Sequence, residues 1–317
     1  MQISCSFRSF QGPLTGYVAS ALVVVIWSFW LVISRFGASS VLTIYDLAAL
    51  RYGISGLISL PLVLYFKPWR GMSLYRMVVL SAILGPVYIL TVFAGFLFAP
   101  VAHAGVFMNG FLPIFSILLG WGLFATRPLR LQAVGAVIIL LGAVVLTANS
   151  GELLLLDGWK GDALFLIGAA FFASYLVLSR RWQVKTTQVL LCGAVINGLL
   201  FIPIWALFLP SGMAQAAPDM LLLQMIYQGL VPNLLGLILI AHAARTIGAE
   251  VTSGWLAAVP AVATVLGAGF LNETLSLLSW VGLVVLTAGL CVVAFGGATP
   301  SAISDATDNC DPPVDQG

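Results

Sequence analysis

The stretch LPIFSILLGWGLFATRPLRLQAVGAVIILLGAVVL at 112–146 returns, altered, as VPAVATVLGAGFLNETLSLLSWVGLVVLTAGLCVV at 259–293. Pro113 recurs as Pro260, Gly120 as Gly267, Gly122 as Gly269, Gly135 as Gly282 and Gly142 as Gly289, all at an offset of 147 residues. Five glycines fall in 108–145, and at 32 glycines in 317 residues about half a match would be expected by chance; four recur. Earlier segments match at slightly shorter offsets: Gly16, Ser34 and Arg35 with Gly161, Ser179 and Arg180, then Gly56, Leu57 and Pro61 with Gly198, Leu199 and Pro203. Loop insertions between two copies of one unit produce such drift. The chain is a tandem duplication.

Composition sets the solvent. The chain is 61% hydrophobic and 8% charged, against roughly 25% charged for a soluble domain. Ten apolar runs, near 16–36, 44–66, 75–97, 102–124, 130–148, 161–181, 188–209, 221–243, 248–270 and 276–296, are each long enough to cross a bilayer. Their continuity excludes the period-two alternation of a barrel. The expected fold is an all-α polytopic membrane protein, with a first repeat over 1–148, a linker over 149–160, a second repeat over 161–296 and a polar tail over 297–317. The first run is long and lacks a small-residue cleavage site, so it reads as an uncleaved span. The four cysteines (Cys5, Cys192, Cys291, Cys310) show no metal or disulfide spacing.

Charge orients the spans. Of thirteen Lys and Arg, Arg51 lies inside a span, and ten of the other twelve fall on one side: Arg8, Lys67, Arg70, Arg76, Arg127, Arg130, Arg180, Arg181, Lys185 and Arg245. Arg35 and Lys160 fall opposite. The positive-inside rule places both termini in the cytoplasm. Each copy holds five spans, an odd number, so the second enters from the other face. Ten helices in two inverted five-helix repeats favour alternating access around a midplane site.

Prolines mark where that site belongs. Pro86 pairs with Pro232 and Pro113 with Pro260, each near mid-span. A proline frees the carbonyl four residues earlier, here those of Ala82, Gln228, Asn109 and Leu256. In lipid such a group must face protein or water, so the breaks belong beside a cavity, although a simple packing kink is the alternative. Tyr88, Asn109 and Asn233 add polar groups nearby. Trp27 and Trp30 lie one turn apart, with Phe172 and Tyr175 as counterparts, and aromatic faces suit organic substrates and cations. Core filling is the plainer reading for them. Arg51 either holds a substrate carboxylate or clamps backbone carbonyls. Glu250 and His242 form a possible proton relay, or are ordinary span-end residues, as His103 and Glu273 are taken to be. Gly135 with Gly142, and Gly282 with Gly289, present small residues on one helix face for close packing or dimerisation.

No Walker loop, HExxH or catalytic triad occurs, so no cofactor or metal is expected and no enzymatic role is assigned. The segment LAALRYGISGLISLPLVL at 47–64, with the paired stretches quoted above, resembles EamA-type drug/metabolite transporters over 14–296. That resemblance implies ten helices around a central cavity and secondary transport of small organic solutes, often export of amino acids or related metabolites from bacteria. It places the chain in a bacterial inner membrane. The family's acidic residue after the fourth or ninth span matches Glu273; the first copy has Thr126 there. The partners expected are a small-molecule substrate and the lipid bilayer, with no nucleic acid, the chain acting as monomer or homodimer. A multidrug or organic-cation exporter is the alternative, and needs a mid-span carboxylate that the sequence lacks. A membrane-embedded enzyme is the third reading; two histidines in the whole chain give it little to work with.

Overall fold

The computed structural model describes residues 13–125, 127–148, 158–274 and 276–296, and among these the chain is all helix and turn. In the first copy the spans are Pro13–Ala38, Ile44–Phe66, a third divided into Leu74–Ile83 and Pro86–Phe98, a fourth, and Arg130–Ala148. The fourth runs from Val101–His103 through a π-helix at Ala104–Gly110 into Leu112–Phe124. The second copy repeats this plan. Its spans are Gly158–Arg181, Thr186–Phe208, an eighth, a ninth divided into Ala249–Leu256 and Val259–Leu271, and Leu277–Gly296. The eighth joins Pro218–Gly229 through a π-helix at Val231–Leu235 to Gly236–Thr246.

Among the described residues nine spans are long and apolar enough to cross a membrane, and the fifth adds the shorter apolar helix Arg130–Leu146. Leu57, Leu64, Leu199, Leu207 and Val284 stand exposed on the outside of the bundle. Water would charge such faces ~25 cal/mol per Å², whereas hydrocarbon does not. Leu31, Leu47, Phe93, Phe96 and Phe165 are fully buried and fill the centre. The chain is a multi-pass membrane protein.

Glycines set the closest approaches between spans. A Cβ on Gly142 would lie 2.7 Å from the Gly282 carbonyl oxygen, and one on Gly282 would lie 2.7 Å from that of Gly142. Gly135 and Gly289 face each other in the same reciprocal way, at 2.9 Å. The fifth and tenth spans thus cross antiparallel, backbone against backbone, and these glycine faces are spent within the chain. Gly56 and Gly198 repeat the device between the second and seventh spans, with Cβ positions 3.0 Å from the Ala194 oxygen and 2.8 Å from the Tyr52 oxygen. Equivalent spans that meet their own copies antiparallel are what an axis in the membrane plane requires. The inversion is therefore visible in the packing.

Candidate functional site

The four prolines stand at the four interruptions. Pro86 opens the second half of the third span, Pro113 and Pro260 stand in the first turn of resumed helices, and Pro232 lies in the π-helix of the eighth. At the third and eighth spans the breaks leave backbone groups that side chains take up. At the third span the Gly85 N–H turns to the Ala82 carbonyl at 3.0 Å. The Ser81 carbonyl, left without that donor, accepts from Asn197 Nδ2 at 3.0 Å. The Leu84 carbonyl accepts from the Tyr52 hydroxyl at 2.8 Å. In the eighth span Asn233 Nδ2 donates to the Gln228 carbonyl at 2.9 Å, the group that Pro232 deprives of its helical partner.

A cavity of about 150 Å³ lies beside these breaks. It is lined by Trp27, Trp30, Arg51, Tyr88, Asn109 and Asn233 together with Pro232, from the first, second, third, fourth and eighth spans. The seventh span adds Gly193 and Asn197. Tyr88 stacks on Phe172, also a lining residue, with ring centroids 6.2 Å apart. The Arg51 guanidinium sits 5.5 Å from the Trp30 ring centroid, a cation–π distance. Its Nη1 is buried without a hydrogen-bond acceptor, as are Ser59 Oγ and Ser81 Oγ. Among the described lining residues Arg51 alone carries a charge. Arg51 thus presents one guanidinium nitrogen without a hydrogen-bond partner in a largely apolar, aromatic cavity, a group whose chemistry is to form charge-assisted bonds with anions.

Other sequence candidates lie elsewhere. Tyr175 packs with Leu80 and Val189 in a separate small core, one layer behind the cavity wall. Pro86, Pro113 and Pro260 shape the breaks without lining the cavity. His242 bonds Thr15 Oγ1 at 3.1 Å in a shallow groove between the first and eighth spans. The side chain of Glu250 lies outside the described residues, as does Thr126. Tyr52, Ser55, Ser59, Ser81 and Asn197 line the cavity but were not singled out by sequence. One signal was available: Arg51, Ser55 and Ser59 are four residues apart and form a polar stripe on an otherwise apolar helix.

The cavity is off-centre. It reaches Ser59, Ser81, Val189 and Leu237, toward the end where the third and seventh spans begin beside Arg76 and Lys185. The opposite end is sealed by buried polar groups. Trp30 Nε1 donates to Gln228 Oε1 at 2.9 Å; Gln228 Nε2 donates to Ser34 Oγ and Gln224 Oε1; Gln224 Nε2 donates to the Ile33 carbonyl. Asp46 accepts from the backbone N–H of Thr43 and Gly212 and from Trp205 Nε1, at 2.9, 2.8 and 3.0 Å, tying together the loops before the second and eighth spans. Asp46 makes no contact with Arg51, in keeping with their separation around the helix.

Two residues taken as ordinary span ends belong to this seal. His103 Nδ1 lies 2.8 Å from Asp162 Oδ1, and both residues are buried. Glu273 accepts from the Val101 N–H at 3.0 Å and pairs with Arg35 at 3.5 Å, while Arg35 also donates to the Phe96 carbonyl. Burial pushes the Glu273 carboxyl above its ordinary range, against the opposing pull of Val101 and Arg35. The sequence could not show this, because Glu273, Arg35 and His103 meet only once three distant segments are folded.

Inverted five-span copies and paired broken helices with a cavity between them fit the architecture of a membrane transporter. The model of the EamA-like transporter family matches the chain twice, over residues 14–148 and 159–295. The chain belongs to the EamA-like transporter family. It is 26% identical over 203 residues to YwfM, an uncharacterized transporter of Bacillus subtilis (strain 168), a match covering 61% of this chain and 64% of that one. The matched region thus spans less than two thirds of that relative's length. A protein known from its crystal structure shares the fold with a TM-score of 0.61 at 21% identity, over 88% of this chain and 94% of its own.

Proposed function

We propose that the chain is a secondary transporter that binds a small carboxylate-bearing metabolite, an amino acid or related compound, at Arg51 and exports it by alternating access. One observation carries this reading: the cavity's sole charge among the described residues is a guanidinium with a buried, unpartnered nitrogen. A carboxylate there makes a charge-assisted bond worth ~1.5–3 kcal/mol. Asn109, Asn233 and Tyr88 supply polar contacts, and Trp27, Trp30 and Phe172 cover the apolar body. An organic-cation exporter lacks support, since no carboxylate is found among the described lining residues. With the termini in the cytoplasm of a bacterial inner membrane, the cavity faces inward, where a metabolite for export is loaded.

The decisive experiment uses purified protein in liposomes, with counterflow of labelled amino acids, monocarboxylates and organic cations. Carboxylates should exchange, and Arg51→Gln should abolish exchange while the protein keeps its folded yield. Exchange of cations alone would overturn the reading. Single cysteines at Ala214 and Ser73 test orientation in intact cells. An impermeant thiol reagent added outside should label Ala214→Cys and leave Ser73→Cys untouched.

A further inference from the structure

The sealed end holds an ionisable cluster that the cavity does not use. Its members come from separate segments: Arg35 from the first span, His103 from the fourth, Asp162 from the sixth and Glu273 from the turn after the ninth. The third span contributes a backbone acceptor, the Phe96 carbonyl. Lys160, two residues before Asp162, holds its ammonium 5.9 Å from the Phe98 ring centroid at the rim. Within the cluster two carboxylates face one permanent cation, Arg35, whose side chain is 27% exposed. His103 and Asp162 are 4% and 7% exposed. With a neutral imidazole the buried set carries one net negative charge. A single added proton neutralises it.

We propose that His103, Asp162 and Glu273 form a proton-binding site that latches this end of the transporter shut. The sign follows from solvation. In the closed state the negative charge is held away from water, so the proton binds more tightly than it does when the segments separate and the groups hydrate. Opening therefore releases a proton, acid holds the end closed, and rising pH favours opening. The raised carboxyl of Glu273 runs in the same direction. The cluster acts as a unit, so the proton belongs to the set rather than to one side chain. The inference concerns the closed end and does not depend on which substrate the cavity takes.

The test reads the distance across the cluster without any substrate. Spin labels at Trp159→Cys and Thr274→Cys, both exposed positions, are placed in full-length protein whose native cysteines are replaced by alanine, in lipid nanodiscs. Raising the pH from about 5 to 8 should shift the population from a short to a long distance. One linked proton changes the ratio by up to about tenfold per pH unit. His103→Gln with Glu273→Gln should remove the dependence. A second measurement leaves the cluster intact. The chain has two histidines, so in His242→Asn the imidazole resonances report His103 alone, and they should move over the same interval as the distance. A wild-type distance that ignores pH, a dependence that survives the double substitution, or His103 resonances that move out of step would each overturn the latch.

Discussion

Adding one methyl group at Gly142 tests the inverted architecture directly. Its Cβ would lie 2.4 Å from the Leu286 backbone nitrogen and 2.7 Å from the Gly282 oxygen, where ordinary contact is 3.4–4 Å. Both obstacles are backbone, so no rotamer change relieves them. The fifth and tenth spans must part by about 1 Å, which forfeits a quarter to a half of the dispersion energy of each contact along the seam. Overpacking of this kind costs ~1–3 kcal/mol. Glycine to alanine also raises helix propensity by up to ~1 kcal/mol, so a control is needed. Gly122 and Gly269 supply it, because a Cβ at either meets nothing within 4 Å. Thermal unfolding in detergent, followed by tryptophan fluorescence, should show Gly142→Ala at least about 2 °C below Gly122→Ala. Gly282→Ala should match Gly142→Ala, and the double variant should lose less than the sum, since one separation relieves both contacts. Equal melting of Gly142→Ala and Gly122→Ala would refute the argument.

Further outcomes follow from single contacts. Arg51→Lys keeps the charge but loses the planar fork, and should raise the apparent substrate constant by about 10- to 100-fold in exchange assays, given ~1.5–3 kcal/mol for a bond to a charged group. Asp46→Asn places an amide NH₂ among three donors and should cost about 1.5–3 kcal/mol of stability, read as a fall in melting temperature larger than that of Trp205→Phe, which removes one of the three bonds. Asn233→Leu strips the Gln228 carbonyl of its acquired donor, and should weaken substrate binding several-fold while costing ~1–3 kcal/mol of stability, read as a modest fall in melting temperature. If Asn233→Leu instead collapses folded yield, the residue is a structural plug and not part of the binding surface.

The fold was legible because lipid leaves few options. Continuous apolar runs and a repeated glycine–proline pattern define the spans and their duplication, and four mid-span prolines mark the breaks. Trp27, Trp30, Arg51 and Asn233 line the cavity, and the sequence marks them by mid-span depth or by nearness to a proline break, where polar and aromatic groups are conspicuous against leucine and valine. Tyr175 shows the limit of depth: it lies one turn after Phe172 but packs in a separate small core behind the cavity wall, and rotation around a helix this uniformly apolar is not encoded in its pattern. His103 and Glu273 show the opposite error. They sit at span ends where water is expected, and their burial comes from segments 59 and 172 residues away in sequence. Ser55 hides its hydroxyl against the preceding turn, donating to the Arg51 carbonyl, so the residue type alone does not mark it as a lining group.

The π-helical stretches at Ala104–Gly110 and Val231–Leu235 have a consequence for how these spans tolerate change. A π-turn carries extra chain within the helix, which offsets the angular phase of everything beyond it. Residues before Val231, such as Gln224 and Gln228, bond the first span at the sealed end, while Asn233, Leu234 and Leu237 face the cavity. Deleting a single residue from the stretch would let it relax to ordinary α-helix with hardly any loss of length. The following turns would keep their faces, whereas the same deletion in an α-helical stretch would rotate them by about 100°. At these two places the helix holds a residue of slack, and losing it leaves unchanged which downstream side chains meet lipid, partner helix or substrate.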